Sequence, residues 1–596
     1  MQQFIPITLK EIQDRGWDYV DIIIVSGDAY VDHPSFGSAV IARTLEAKGY
    51  RVAILPQPNW QDDLRDFKKL GKPRLFFGIS SGCMDSMVNH YTANKRLRSN
   101  DAYTPGGKSG FRPDYATVTY SNILKKLYPE TPVIIGGIEA SMRRLAHYDY
   151  WSDSLKPSIL VESKADILVY GMGEKVITEI ADRLSNGETT EQLQQLMQIG
   201  FVTKQIPNSS FKTRELHNFS LCLKDKAKHI ENFKHIEINS NSLISERLIQ
   251  KTEEKYVIIN PPDVSFSSKD LDESFALPYT RKPHPKYRKR GDIPAYEMIK
   301  YSINTHRGCF GGCSFCTISA HQGKHVISRS EESILQEIGI VTSDSDFKGY
   351  LSDLGGPSAN MYKMEGINKE LCTKCSRYSC IYPSHCKNLN SQHKPIVNLY
   401  RKAAKLPHIK KVFIGSGIRY DLFTNQNGGD LYFEEVVKNH VSGRLKVAPE
   451  HTSDNVLKTM RKPSFSQFIQ IKKKFDEINK KQNLRQQLIP YFISSHPSCT
   501  LEDMASLALE MKNLNYRLEQ VQDFTPTPMT LSTEMYYTGI DPYTLQKIYC
   551  AKDEKTKREQ SKMFFWYKPE YKAEILKSLR KLQKGSYYIA QIFNKR

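Results

Sequence analysis

The 596-residue sequence has no run of about 18 apolar residues, so no stretch reads as a membrane span. It also has no charged-then-apolar leader, and its eleven cysteines do not fall in the pattern of a secreted disulfide framework. A reducing cytoplasm is the expected location. Acidic residues are in deficit: 65 Asp and Glu face 85 Lys and Arg, an excess of +20. That balance suits RNA, an acidic protein or simply a solvated basic surface. Gly106-Gly-Lys-Ser109 resembles the end of a phosphate-binding loop, but Ala102 stands where its first glycine should be. The stretch reads as a surface turn, and nucleotide hydrolysis is not expected.

What is present is cysteine gathered in one place, seven of the eleven lying between positions 309 and 386. Cys309, Cys313 and Cys316 are spaced C-x3-C-x2-C, and Gly308, Gly311, Gly312 and Gly323 let the backbone wrap whatever the thiolates hold. Soft thiolates choose iron–sulfur clusters, zinc or copper(I). A closed zinc or [4Fe–4S] site takes four ligands, and this run supplies three. The fourth position is then open for chemistry. The alternative is a zinc knuckle completed by His306 or His321.

This cysteine run, with the aromatic Phe315 before its last cysteine, resembles the signature of the radical S-adenosylmethionine (SAM) superfamily. The resemblance implies a [4Fe–4S] cluster on Cys309, Cys313 and Cys316 whose fourth iron chelates SAM. It further implies reductive cleavage of SAM to methionine and a 5'-deoxyadenosyl radical, with a flavodoxin- or ferredoxin-type reductant. Five further runs sharpen it: Arg307-Gly-Cys-Phe-Gly-Gly-Cys313, Ser328-Arg-Ser-Glu-Glu-Ser-Ile334, Asp353-Leu-Gly-Gly-Pro357, Ala448-Pro-Glu-His-Thr452 and Leu488-Ile-Pro-Tyr-Phe-Ile493. In that order they resemble the YgiQ-type radical SAM proteins over residues 20 to 550. Ser498 departs from the pattern, standing where the family usually has glycine.

The chain exceeds what one hydrophobic core usually supports, so two or three domains are expected. Residues 1–200 read as an α/β, doubly wound, Rossmann-like domain. Its short apolar runs 21–25, 52–55, 74–79, 133–137 and 167–174 end in glycine or alternate with helical patterns. The region is similar to the cobalamin-binding-type domain that precedes many radical SAM cores. Its D-x-H-x-x-G motif would fall on 32–37, but Pro34 occupies the histidine position and His33 is shifted by one. A lower-axial histidine, and with it cobalamin, is doubtful. Residues 201–295 read as a connecting segment ending in the basic, proline-rich run 278–290, a solvated linker or a basic lip over the substrate entrance.

Residues 296–550 read as strand-then-helix units of a parallel barrel with its active site at the strands' carboxyl ends. The superfamily resemblance makes this a partial (β/α)6 TIM-like barrel. It assigns Gly355 and Gly356, without the usual following acid, to the SAM amino group, and Glu450 to SAM's hydroxyls. Lys446 is a weaker choice for the carboxylate, and the glycine pair also fits a plain strand-to-loop turn. His496 and Asp523 read equally as rim structure or as catalysts. Inserted at 372–386, Cys372, Cys375, Cys380 and Cys386 suit zinc or a second iron–sulfur cluster better than free thiols. The extension 551–596 carries 13 basic against 5 acidic residues, with aromatics at 564–567 and 587–588. These fit packing on the barrel or stacking of bases, and packing is preferred.

The expected function is a radical SAM enzyme acting on a macromolecule, RNA or protein, because the organisation is similar to methylthiotransferase-like enzymes. The rival is a metal-stabilised nucleic-acid-binding protein without catalysis.

Overall fold

The computed structural model describes residues 3–423 and 427–594. The N-terminal apolar runs become strands β1 (Ile22–Ser26), β2 (Val52–Pro56), β3 (Phe76–Ser80), β4 (Val133–Ile135) and β5 (Ile167–Val169). They lie parallel in the order β2-β1-β3-β4-β5, with Ile22 of β1 facing both Val52 and Phe76. Helices Gly37–Ala47, Ala116–Leu127 and Glu174–Ser185 supply the crossovers. Because helices cover both faces, these strands are continuous apolar runs rather than alternating ones. All five residues of β1 and all five of β2 are buried. The first crossover helix stops where Gly49 takes φ +92°.

The sheet does not end near residue 200, as the reading of a connecting segment required. Strands β6 (Ile199–Thr203), β7 (Thr213–Leu216), β8 (Arg247–Thr252) and β9 (Lys255–Ile259) extend it to nine, in the order β5-β6-β9-β8-β7. β6 and β9 add on antiparallel, and β8 with β9 forms a hairpin. Alternating polar residues in β7 and β8 had hidden them, since edge strands bury little. The run 278–290 is neither a free linker nor a lip. Tyr279 and Tyr287 are buried, the Tyr30 amide donates to Tyr287 Oη at 3.0 Å, and the Thr280 amide donates to Asp32 at 2.8 Å. The segment is a strap across the N-terminal sheet.

In the second half, β10 (Ser302–Asn304) pairs in parallel with β12 (Asp353–Gly355), and β11 (Tyr350–Leu351) with β13 (Lys411–Val412). Strands β14 (Arg444–Glu450), β15 (Gln487–Ser494) and β16 (Val521–Asp523) form a second parallel set. Helices follow the strands, including Glu331–Thr342, capped by Ser330, and Leu501–Asn513. The C-terminal segment folds into helices Glu554–Lys562, Pro569–Leu579 and Gly585–Phe593, whose Phe564, Leu579 and Ile592 enter the same core as these strands. Its central aromatics are therefore packing residues; the final two basic residues lie outside those described. Ser498 adopts φ +75°, the left-handed backbone in which glycine is strain-free. Among the described residues no helix is long and apolar enough to cross a membrane.

Candidate functional site

The cysteine loop leaves the carboxyl end of β10 and is pinned at its root. Thr305 donates to the Gly355 carbonyl through its amide at 2.7 Å and its hydroxyl at 3.0 Å. A Cβ on Gly308 would lie 2.3 Å from the His325 carbonyl oxygen, so only glycine lets these chain segments approach. Burial pushes the Cys309 thiol up and the Cys316 thiol up to about 12. Bare thiols here stay protonated, and a positive partner is required to hold thiolates. That partner is Arg419, whose Nη1 donates to Cys313 Sγ at 3.1 Å. Asp421 grips the guanidinium through Nε at 3.0 Å and through Nη2. Burial works against the Arg419 charge, but Asp421 and the Cys313 sulfur raise its pKa above the ordinary value. Neither Arg419 nor Asp421 is marked in the sequence, except as polar residues after the strand end 412–417.

His306 lies against the glycine pair. A Cβ on Gly356 would sit 2.5 Å from His306 Cε1. The ring is buried, which lowers its pKa to about 3. Its Nδ1 lies 2.8 Å from Thr305 Oγ1, and Nε2 is buried without a partner. With the Thr305 proton given to the Gly355 carbonyl, Nδ1–H donates to the hydroxyl and Nε2 presents a lone pair. His321 points elsewhere, its Nδ1 3.1 Å from Ser141 Oγ in the N-terminal half. Among the described residues no three His, Cys, Asp or Glu side chains are gathered to hold one metal ion, so the zinc-knuckle alternative gains no support.

Glu450 ends β14 with φ +69°, an unusual conformation for a side chain of this size that costs of order 1–3 kcal/mol. It is buried, and Lys462 Nζ stands 3.7 Å away. Burial raises the Glu450 pKa, with Lys462 and Arg419 opposing. Lys446 is exposed between buried Leu445 and Val447 and faces solvent, because strand side chains alternate; Lys462 is the cation near Glu450 instead. Phe315 packs edge-on to His496 at 6.0 Å. His496 is satisfied by Ser532 Oγ at 2.7 Å and the Pro497 carbonyl at 2.8 Å, a structural arrangement. Asp523 accepts from Ser494 and from Asn94 Nδ2 at 3.3 Å, linking β16 to the N-terminal half.

The carboxyl ends of β1, β3, β4 and β5 open onto a cavity of about 480 Å³. Gly37, Ser80, Gly137 and Gly173 line one side, and His306 and Gln322 of the cysteine segment close the other. Ligands of such sheets bind at this end, beside the switch in strand order between β1 and β3. An ion pair of Glu174 with Arg307 ties the two walls together. His33 does not reach the cavity as a free ligand: it is buried, with Nδ1 3.1 Å from the Ser35 amide and Nε2 2.9 Å from Arg281. Pro34, which cannot ligate, lines the cavity in its place.

The four-cysteine insert docks on this loop. The Cys380 amide donates to the Phe310 carbonyl at 3.1 Å, and Ser379 Oγ donates to the Gly311 carbonyl at 2.9 Å.

A family model described as "Radical SAM N-terminal" matches residues 4–302, and one described as "Domain of unknown function (DUF3362)" matches residues 519–583. A UPF0313 protein of Bacteroides thetaiotaomicron is 55% identical over 616 residues, covering 100% of this chain and 99% of that protein. One from Porphyromonas gingivalis is 55% identical, covering 100% and 95%, and one from Methanocella arvoryzae 46% identical, covering 96% and 94%. Among solved structures, a radical SAM methyltransferase, TsrM, from Kitasatospora setae with cobalamin and a [4Fe-4S] cluster bound overlaps with TM-score 0.47 at 13% identity, over 86% of this chain and 74% of that one. The cobalamin-dependent SAM radical enzyme OxsB overlaps with TM-score 0.45 at 12% identity, over 89% and 56%. By full-length identity to these relatives and the N-terminal model laid over half its length, the chain belongs to the UPF0313 family, within the radical SAM superfamily of enzymes.

Proposed function

We propose that Cys309, Cys313 and Cys316 are the protein ligands of the radical SAM cluster, and that the SAM pocket is built around Phe315, Gly355, Gly356, His306 and Glu450. The carrying observation is the buried guanidinium of Arg419 on Cys313 Sγ, within a three-thiol loop that offers no fourth ligand. Three soft donors with a compensating cation suit an iron–sulfur cluster with one open iron. When bound, such a cluster supplies the electron that cleaves SAM to methionine and a 5'-deoxyadenosyl radical.

The chain's own residues bind and orient. Each strand from β10 to β16 delivers its functional residues at the carboxyl end, in keeping with a partial (β/α)6 barrel. No acid follows Gly355-Gly356, and the lone pair of His306 Nε2 takes its part, accepting from the SAM ammonium. Glu450, held in a strained conformation beside Lys462, accepts from ligand hydroxyls. The cavity against the N-terminal sheet serves the substrate or a second small ligand. The substrate itself is a macromolecule, RNA or protein, in keeping with the +20 charge balance, and the setting is the reducing cytoplasm that eleven free cysteines suit.

Anaerobic reconstitution followed by dithionite and SAM is expected to yield 5'-deoxyadenosine, and Cys313→Ala is expected not to. Equal yields from both proteins would refute the assignment. Comparative mass spectrometry of RNA and protein from cells with and without the gene would then find the target.

A further inference from the structure

The four thiols between 372 and 386 have no task in the reading above. We propose that Cys372, Cys375, Cys380 and Cys386 hold a second iron–sulfur cluster, and that it is the port through which an external one-electron donor reduces the centre at Cys309, Cys313 and Cys316. The relay rests on the reading of that centre as redox-active; the second cluster does not.

The first observation is a buried charge. Lys324 is 1% exposed, and the one hydrogen bond of its ammonium goes to the Arg377 carbonyl, at 2.6 Å, within the insert. Among the described residues it has no carboxylate partner. An unpaired ammonium in the interior costs several kcal/mol, so it persists only against an anion. The anionic groups within its reach are the insert's sulfurs. Burial pushes the Cys380 thiol up to about 11, and Lys324 pulls it back. Burial and the Cys375 thiol raise Cys372, which Lys324 again opposes. Protonated thiols would leave Lys324 unmatched, whereas metal-bound thiolates neutralise it.

The second observation separates iron from zinc. Tetrahedral zinc at about 2.3 Å from each sulfur draws its ligand sulfurs to roughly 3.8 Å of one another. Among the described residues no three candidate ligands are gathered for a single ion. A cubane places its irons between the thiolates and accepts ligands spread more widely. Room for the sulfurs is built in: a Cβ on Gly366 would sit 2.2 Å from Cys372 Sγ, and Asn388 Nδ2 donates to that sulfur at 3.3 Å. N–H···S contacts of this kind tune iron–sulfur potentials.

The third observation is the route. Cys380 is joined through one amide hydrogen bond to the carbonyl of Phe310, and Phe310 is bonded to Cys309. Phe310, Met361, Met364, Ile381 and Leu422 form a dry core at this contact, with Cys309 and Cys380 packed on it. On the outer side all four insert cysteines are partly exposed. Ile367 and Leu371 are exposed beside them, and residues 363–390 carry five basic against two acidic side chains. That face suits an acidic, low-potential flavin or iron–sulfur protein. The donor loses one electron, the second cluster gains it and passes it inward. The same electron is consumed as the sulfonium S–C5' bond breaks, leaving neutral methionine and the radical, with no proton moved.

The test uses the full chain, reconstituted anaerobically. Wild type is expected to carry about eight irons and no stoichiometric zinc, as two [4Fe–4S] clusters require. The Cys375→Ser/Cys386→Ser variant is expected to fall to half that iron and to keep dithionite-driven 5'-deoxyadenosine formation. With a flavodoxin-type reductant it should lose at least ten-fold in rate. One zinc per chain beside a single cluster would overturn the proposal, as would a double variant with an undiminished flavodoxin-driven rate. A wild type with the full iron but no 5'-deoxyadenosine from dithionite would sink the relay while leaving the second cluster standing. Should the double variant fail to fold, Lys324→Met decides: with iron retained, the second cluster's midpoint in a redox-poised EPR titration should move to more negative potential. An unmoved midpoint would overturn the charge pairing.

Discussion

Replacing Arg419 by methionine removes the one guanidinium on the catalytic cysteine loop. Alone, this strands the Asp421 carboxylate in the interior, a loss of about 3–5 kcal/mol when one member of a buried pair is removed. The informative variant is therefore Arg419→Met with Asp421→Asn, which removes the charge pair together. What remains lost is the contact from Nη1 to Cys313 Sγ at 3.1 Å. A hydrogen bond to a charged group contributes about 1.5–3 kcal/mol, and for one electron 1.4 kcal/mol corresponds to roughly 59 mV, so the ceiling on the change in potential is roughly 60–130 mV. Only the part that differs between the two oxidation states is expressed, which places the shift at tens of millivolts. The sign follows from charge: the reduced cluster is more negative and gains more from the donor, so its loss moves the midpoint negative. A redox-poised EPR titration of the reconstituted variant measures this, with Arg419→Lys expected to fall between variant and wild type. A folded, iron-replete double variant with the wild-type midpoint would show that Arg419 does not act on the cluster.

His306→Phe is expected to raise the SAM dissociation constant about 10- to 100-fold by losing one charge-assisted acceptor, with His306→Asn recovering part of it; calorimetry in which both bind like wild type would remove His306 from the pocket. Gly311→Ala would set a Cβ 2.5 Å from Arg419 Nη1 and 3.3 Å from Cys309 Sγ, so iron content after reconstitution should fall by half or more, and full loading would contradict the tight packing described. His496 is held neutral by burial, its pKa lowered to about 3, so the stability it contributes is present above its unfolded pKa of about 6.5 and is lost as pH falls towards 3. Between pH 6 and 4, His496→Asn should therefore flatten the pH dependence of urea unfolding by about 1.4 kcal/mol per pH unit, and parallel wild-type and variant curves would show that the histidine is not so buried.

The cysteine motif and the apolar strand runs were legible because both are local. Cys309, Cys313 and Cys316 lie in one turn of chain, and a strand buried on two faces shows as an unbroken apolar run wherever it ends up. Strands β7 and β8 were not legible, since an edge strand with polar alternation looks like loop until its neighbours are known. The site's electrostatics were hidden for the same reason. Arg419 is 106 residues from Cys313, Lys462 is twelve beyond Glu450 across a helix, and Lys324 meets a carbonyl 53 residues away. Lys446 shows the converse: the right residue type at the right strand end, turned to solvent by the two-residue alternation of β14. The sequence by itself determined which sulfurs can act as ligands and which segments must be buried, because spacing and hydrophobicity are properties of neighbouring residues. Only the tertiary structure decided which charges face those sulfurs, because Coulomb interactions and hydrogen bonds depend on distances that exist only once the strand ends are brought together.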